Sequence, residues 1–340
     1  MPESMRQMAD MPRRKRLLAC RMPSPPPLPT ALELAAVTLA MQHPALDDWR
    51  PAAERLRVLA EEHEEDLERA GDMKMADFRA GYFAFPGVGA GAYLDRWYPV
   101  SEGLTAWLSI RFEGRVRTRP FVDLSGTSRP WTPADLPALG RAALEVYGIF
   151  APRYLRLLSG QPADAVPGLG HDRRFMAAPL SQLAAIQTHI PPELSLRRTR
   201  DDRHLAQAVA AYAAIAAQHP AHTGQAGILS AEDLTECLQV GLMYDVLVGE
   251  TWAGYAGVLP EEKLGLEVYS VQELLLTPEY RGRGYGPHLT TLLARALLAD
   301  AEPGRVLFGT IHADNAGAYP AALRGGRQDV GGWVQLGLQG

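Results

Sequence analysis

Cysteine is nearly absent: the chain has two in 340 residues, Cys20 and Cys237, with no Cys-x-x-Cys pair and no zinc-like histidine spacing around either. A disulfide framework and the common structural zinc sites are therefore excluded, and the usage suits a reducing cytoplasm. No apolar run approaches the length of a membrane span. The basic stretch Arg13-Arg14-Lys15-Arg16 is followed only by Leu17-Leu18-Ala19-Cys20 before Arg21, too short for the apolar core of a signal peptide. Positive charge is not in excess, since 34 Lys and Arg face 39 Asp and Glu for a formal net charge of −5. Nucleic acid, which is held largely by neutralising its phosphates, is disfavoured as a partner.

What is present is apolar. With 47% hydrophobic and 21% charged residues, the chain is long enough for two ordinary domains with buried cores. Residues 1–29, rich in proline from Pro23 to Pro29, read as a flexible or extended lead. Residues 30–190 read as an N-terminal α/β domain and 191–340 as a second domain, with Pro191-Pro192 at the boundary.

In the first domain, residues 31–80 carry helical periodicity, and the acidic run Glu61 to Asp66 fits a solvated helix face. Strands are expected around Tyr82, Phe83 and Phe85, over Leu104 to Phe112, and over Val116 to Val122. Gly87 to Gly91 is a loop or hairpin, because no helix signal follows it. Thr132 and Pro133 start a helix that runs to Phe150. Arg153 to Ser159 is a further strand, and Gly160 to Asp172 reads as a loop.

The second domain opens on a strand at Leu196 to Thr199 and an alanine-rich helix from Ala206 to Ala217, followed by a helix from an N-cap at Ser230 to Val240. Two strands, Leu242 to Gly249 and Thr251 to Leu259, meet at Gly249-Glu250 as a hairpin. Then come strand Leu266 to Leu276, a glycine-rich turn, helix Leu289 to Ala299, strand Arg305 to His312, helix Asn315 to Leu323 and strand Gly332 to Leu338.

The turn is the sharpest feature. Thr277-Pro278-Glu279-Tyr280-Arg281-Gly282-Arg283-Gly284-Tyr285-Gly286 joins an apolar strand to an amphipathic helix. Glycines at 282, 284 and 286 allow backbone angles that let successive N–H groups converge on phosphate oxygens at the positive end of the helix. Arg281 and Arg283 add charge. A P-loop needs Gly-Lys-Ser/Thr, whereas Gly286 is followed by Pro287 and His288. A dinucleotide fingerprint needs Gly-x-Gly-x-x-Gly and an acidic strand end about 20 residues on, and neither is met here.

The hexad Arg281-x-x-Gly284-x-Gly286, with its Pro278-Glu279-Tyr280 lead-in, preceding strand and following helix, resembles the acetyl-CoA loop of the GNAT N-acetyltransferase superfamily. Asp314-Asn315-Ala316-Gly317-Ala318 resembles the family's Asn-x-x-Ala element. The resemblance covers residues 196–338, with the sharp motifs between 273 and 326. It implies an α/β (α+β) fold with a mixed, mostly antiparallel central sheet flanked by helices, and acetyl-CoA as co-substrate without a metal. The first domain, lacking such a hexad, is either a degenerate second copy, as in tandem GNAT proteins, or an unrelated domain.

The resemblance also implies roles. Backbone groups of Leu274, Leu275 and Leu276 would pair with the pantetheine arm, and those of Arg281, Gly282, Arg283, Gly284, Tyr285 and Gly286 would hold the pyrophosphate. Glu273 would act as base toward the amine, its pKa raised from about 4.3 toward neutrality by apolar neighbours, or else only order a water or pair with an arginine. The family's tyrosine seven residues after the asparagine corresponds to Ala322, so Tyr319, one turn from Asn315, is the nearest phenol to protonate the leaving thiolate, with packing as its other reading. Asn315 would bond the pantetheine or serve only as a helix cap. His312 and His288 read as structural and near-phosphate residues respectively. The implied partner is a small-molecule or peptide amine, with neither nucleic acid nor membrane, and the chain working as a monomer or homodimer.

Overall fold

In a computed structural model, residues 26–218, 231–299, 301–312 and 315–338 are described. Helix α1 (Ala31–Met41) begins at a reciprocal capping box between Thr30 and Glu33. It is followed by α2 (Ala52–Glu68) and α3 (Met73–Phe83). The acidic run on α2 faces outward apart from buried His63, which hydrogen-bonds the Thr38 hydroxyl at 2.9 Å. Tyr82 and Phe83, expected on a strand, instead form the last turn of α3, which Ala84 ends in a left-handed conformation (φ 45°). Their neighbouring aromatics hold that end: the Phe83 ring stacks on Phe112 at 3.8 Å between centroids.

Strands β1 (Arg96–Ser101), β2 (Leu104–Phe112) and β3 (Pro120–Thr127) form a meander. Helix α4 (Leu136–Tyr147), β4 (Tyr154–Ser159), β5 (Leu169–Pro179) and α5 (Leu180–Ala185) follow. The segment read as a loop through Asp172 therefore already contains the start of a strand. Beyond Pro191 come β6 (Leu194–Arg198), α6 (Leu205–Gln218), α7 (Ala231–Gln239), β7 (Met243–Val248), β8 (Thr251–Lys263) and β9 (Leu266–Leu276). Helix α8 (Tyr285–Leu298), β10 (Val306–His312), α9 (Ala318–Arg324) and β11 (Gln328–Gly337) complete the chain. The N-cap expected at Ser230 and the residue Asp314 lie outside the described residues.

The eleven strands among the described residues belong to one mixed sheet in the order β1-β2-β3-β4-β11-β5-β10-β9-β8-β7-β6. Its ladders are antiparallel except β3 with β4 and β9 with β10. At its centre the two halves interleave. Strand β11, the last in the chain, lies between β4 and β5, while β5 lies between β11 and β10. The seam is fastened by Arg174 of β5, which is 3% exposed and makes two hydrogen bonds to Asp329 of β11 at 2.6 and 3.0 Å.

Helix α8 covers one face of the second half. Leu289, Leu293 and Leu297 recur every four residues and are at most 2% exposed, each contributing roughly 1.5–3 kcal/mol by burial. They pack with Leu307, Tyr269, Val258 and Tyr285. On the opposite face α6 and α7 cover β7 to β9 through Ala208, Ala211, Leu234 and Cys237. No helix among the described residues is long and apolar enough to cross a membrane.

Candidate active site

Strands β9 and β10 start side by side and then part. Their parallel ladder holds three pairs, Val268 with Val306, Tyr269 with Leu307 and Ser270 with Phe308. From Val271 onward β9 pairs only with β8, and from Gly309 onward β10 pairs only with β5. A bulge supplies the bend: Gly257 pairs with Glu273 and Val258 with Val271, leaving Gln272 as an extra residue on β9. The result is a fork, closed at Ser270 and Phe308, whose facing edges carry backbone groups not joined by any ladder pair. Such groups need a hydrogen-bonding partner if they are kept from water.

The glycine loop stands at the open end of the fork. A short 3₁₀ turn, Pro278–Tyr280, leads into Gly282 (φ 72°) and Gly284 (φ 84°), the latter directly before α8. A β-carbon at either would meet nothing within 4 Å, so the left-handed backbone itself calls for glycine there. Gly286 differs: its φ is ordinary, and its place for a β-carbon lies 3.4 Å from Ala321 on α9. No side chain caps α8, so its first-turn amides keep their donors at the positive end of the helix.

Arg281 turns back toward the fork, its Nε donating to the Leu276 carbonyl at 2.9 Å. The Arg283 guanidinium lies 5.5 Å from the centre of the Tyr280 ring. Tyr285 contributes only its backbone to the loop. Its buried side chain points into the core, and its hydroxyl donates to Glu193 at 3.0 Å, pinning α8 to the segment before β6.

Glu273 is 2% exposed and faces α6, where Tyr212 donates its hydroxyl to Oε1 at 2.5 Å. Burial, followed by the Glu273 charge, pushes the Tyr212 phenol well above its ordinary pKa, so it stays protonated as a donor. Leu275 is fully buried on the same face, whereas Leu274 and Leu276 pack toward α8. All three keep their side chains in the core while their backbone forms one arm of the fork.

The other two sequence candidates sit at the start of α9. Asn315 Oδ1 accepts from the amides of Gly317 at 3.3 Å and Ala318 at 3.0 Å, so its oxygen caps the helix. Tyr319 donates to Asp329 Oδ2 at 2.8 Å, the same carboxylate that Arg174 holds. Burial and that hydrogen bond raise the Tyr319 pKa. The structure thus brings together Glu273, the Leu274–Leu276 edge and the 281–286 loop, and engages the Tyr319 hydroxyl at the β5/β11 seam. Among the described residues, no group of three or more His, Cys, Asp or Glu is arranged to hold a metal ion.

Sequence reasoning missed two residues. Tyr212 lies in an alanine-rich helix with no motif around it, although its spacing of four from Ala208 marks it as core-facing. Arg327, between α9 and β11, is 4% exposed and lies at the closed end of the fork. A β-carbon on Gly309 would stand 2.7 Å from its Nη1 and 3.6 Å from the Val271 Cβ.

No protein-family model matches the chain, and no curated protein matches it. Solved structures similar to it include an acetyltransferase of the GNAT family from Colwellia psychrerythraea, at 10% identity over 77% of this chain and 95% of that one, with a TM-score of 0.44. A GCN5-related N-acetyltransferase from Sphaerobacter thermophilus shares 12% identity over 81% and 94% of the two chains, at a TM-score of 0.42. A tandem GNAT protein from the clavulanic acid biosynthesis pathway shares 16% identity over 70% and 83%, at 0.39. At these identities the likeness concerns fold alone.

Proposed function

We propose that the chain is an acetyl-CoA-dependent N-acyltransferase of the reducing cytoplasm, acting on the amine of a small molecule or peptide by direct attack. The observation that carries this reading is the fork between β9 and β10, which opens onto the uncapped Gly282–Gly284 loop and bears buried Glu273 on one arm. The loop amides and Arg281 suit a pyrophosphate, and the unpaired strand edge from Val271 to Leu276 suits an extended amide-bearing arm. Asn315 keeps its amide nitrogen for the same arm while its oxygen caps α9.

The thioester supplies the activated acyl carbon. The amine nitrogen forms the new C–N bond, the C–S bond breaks, the amine proton passes to Glu273 directly or through a water, and the thiolate is protonated. Tyr212 orients the Glu273 carboxylate for this task. Tyr319 can protonate the thiolate only by exchanging its bond to Asp329. That engagement, with alanine at position 322, favours as second reading a non-catalytic protein that binds CoA or an acyl-CoA.

Calorimetric titration with acetyl-CoA, followed by free-thiol release against a panel of amines, separates the two. Binding with amine-dependent thiol release is the expected result. Binding without release for every amine favours the second reading, and no binding removes both.

A further inference from the structure

Arg327 presents an unsolved electrostatic problem. Its side chain is 4% exposed, its Nε is buried without a hydrogen-bond partner, and no acidic side chain among the described residues pairs with it. Asp329, two positions on, is already committed to Arg174 and Tyr319. Burial alone lowers the Arg327 pKa, to about 10, which leaves the group a cation at neutral pH. An isolated buried cation is destabilising, and a methionine or leucine would fill the same space without that cost. The fold nevertheless makes room for it. Gly309 is the first residue of β10 past the parallel ladder, and any side chain there would collide with Nη1.

Position decides which anion is meant. Arg327 stands beside Val271 and Gly309, at the closed end of the fork, while the glycine loop lies past Leu276 at the open end. Five residue steps of strand separate Val271 from Leu276, about 17 Å, so a pyrophosphate on the loop is too far away to be the partner. The part of an acyl thioester that reaches the closed end is the acyl group. A planar guanidinium with free donors matches a carboxylate in two-point contact. Resting on the acyltransferase reading above, and replacing its acetyl donor with a longer one, we infer that the fork prefers over acetyl-CoA a thioester whose acyl chain ends in a carboxylate, with Arg327 as the residue that binds that carboxylate.

Two four-carbon thioesters test this, because succinyl-CoA carries the terminal carboxylate and butyryl-CoA does not. In calorimetry on the full chain, succinyl-CoA should bind at least tenfold more tightly than butyryl-CoA, and acetyl-CoA should resemble butyryl-CoA. Arg327→Met should bring the ratio of the two affinities close to one. Gly309→Ala keeps the charge but displaces the guanidinium, and should also shrink the ratio.

Equal affinity of the wild-type chain for both thioesters overturns the inference and leaves the acyltransferase reading intact. So does an unchanged preference in Arg327→Met, or an equal loss of turnover with both thioesters in that variant, which would place Arg327 on the departing thiolate. Failure of every thioester and of CoA itself to bind removes the underlying reading together with the inference.

Discussion

The sheet contains the same topological slot twice, and the two copies are finished differently. In each half a strand runs parallel to the next strand in sequence and is joined to it through a loop and a helix: β3, α4 and β4 in the first half, β9, α8 and β10 in the second. The first loop, Ser128-Arg129-Pro130-Trp131-Thr132-Pro133, has no glycine and two residues without an N–H. A carboxylate of the chain lies just before its helix, although no side chain caps the first turn of α4. Asp135 accepts from the Thr132 amide and hydroxyl, both at 2.8 Å, and from Arg129 at 2.8 and 2.9 Å. The Arg129 hydrogen bonds, reinforced by Thr132, hold the Asp135 pKa well below the usual carboxylate range. In the second half the corresponding place has two left-handed glycines, Gly282 and Gly284. A carboxylate of the chain closes one slot, and two glycines leave the other open.

The comparison is broken most severely at Gly284. Gly284→Asp puts a β-carbon at φ 84° and a carboxylate beside the first turn of α8. Acetyl-CoA affinity should fall at least about 100-fold, equivalent to about 2.7 kcal/mol, with the circular dichroism spectrum unchanged. Undiminished affinity would mean that the phosphates bind elsewhere. Next in size is Glu273→Gln, which should lower amine-dependent thiol release by about 100-fold near neutral pH, the deficit shrinking at high pH where the amine is already free. Tyr212→Phe removes a donor to the ionised carboxylate, so the acid limb of the pH–rate profile should move to higher pH; a fall in rate at all pH values without that movement would count against the pairing.

A smaller effect is expected in the closed slot. Asp135→Asn should cost about 1 kcal/mol of stability at neutral pH, read as a lower midpoint in urea, while acetyl-CoA affinity stays as it was. Because the folded-state pKa of Asp135 is depressed, its stabilisation is present above the unfolded value and lost as pH falls through the folded one. The gap between wild type and variant should therefore close below about pH 4. The smallest effect belongs to Gly286→Ala. Its backbone is ordinary and Ala321 needs to yield by only a few tenths of an ångström, so affinity should change by about twofold or less.

The elements around the open slot were legible because their signals are local. Strand β9, the glycine loop, the start of β10 and the Gly249-Glu250 hairpin each follow from residues close together in sequence. The unread parts depend on distant partners. Strand β5 begins at Leu169-Gly170-His171-Asp172, inside a stretch whose prolines and glycines read as a loop, and is a strand because β11, far along the chain, pairs with it from Leu336 opposite Leu169. Tyr212 matters only because α6 lies against β9, and Arg327 only because Gly309 leaves space beside it. Glu273 was singled out by its place before the loop, yet the Tyr212 hydroxyl that bonds it was not. Tyr82 and Phe83 have strand-like chemistry but end a helix, where ring packing against Phe112 outweighs local preference.

The crossing of β5 and β11 gives the half without a glycine loop a duty of its own. Strand β10, one arm of the fork, is held on its far side by β5 along its whole length, from Val306 opposite Pro179 to His312 opposite Arg173. The width of the fork is thus fixed by a strand made well before the residues that line it. Like a clasp whose two tongues pass through each other, the chain shuts only when both halves are folded, and loosening the seam at Arg174 and Asp329 would be felt as a change in the reach between Glu273 and the opposite arm.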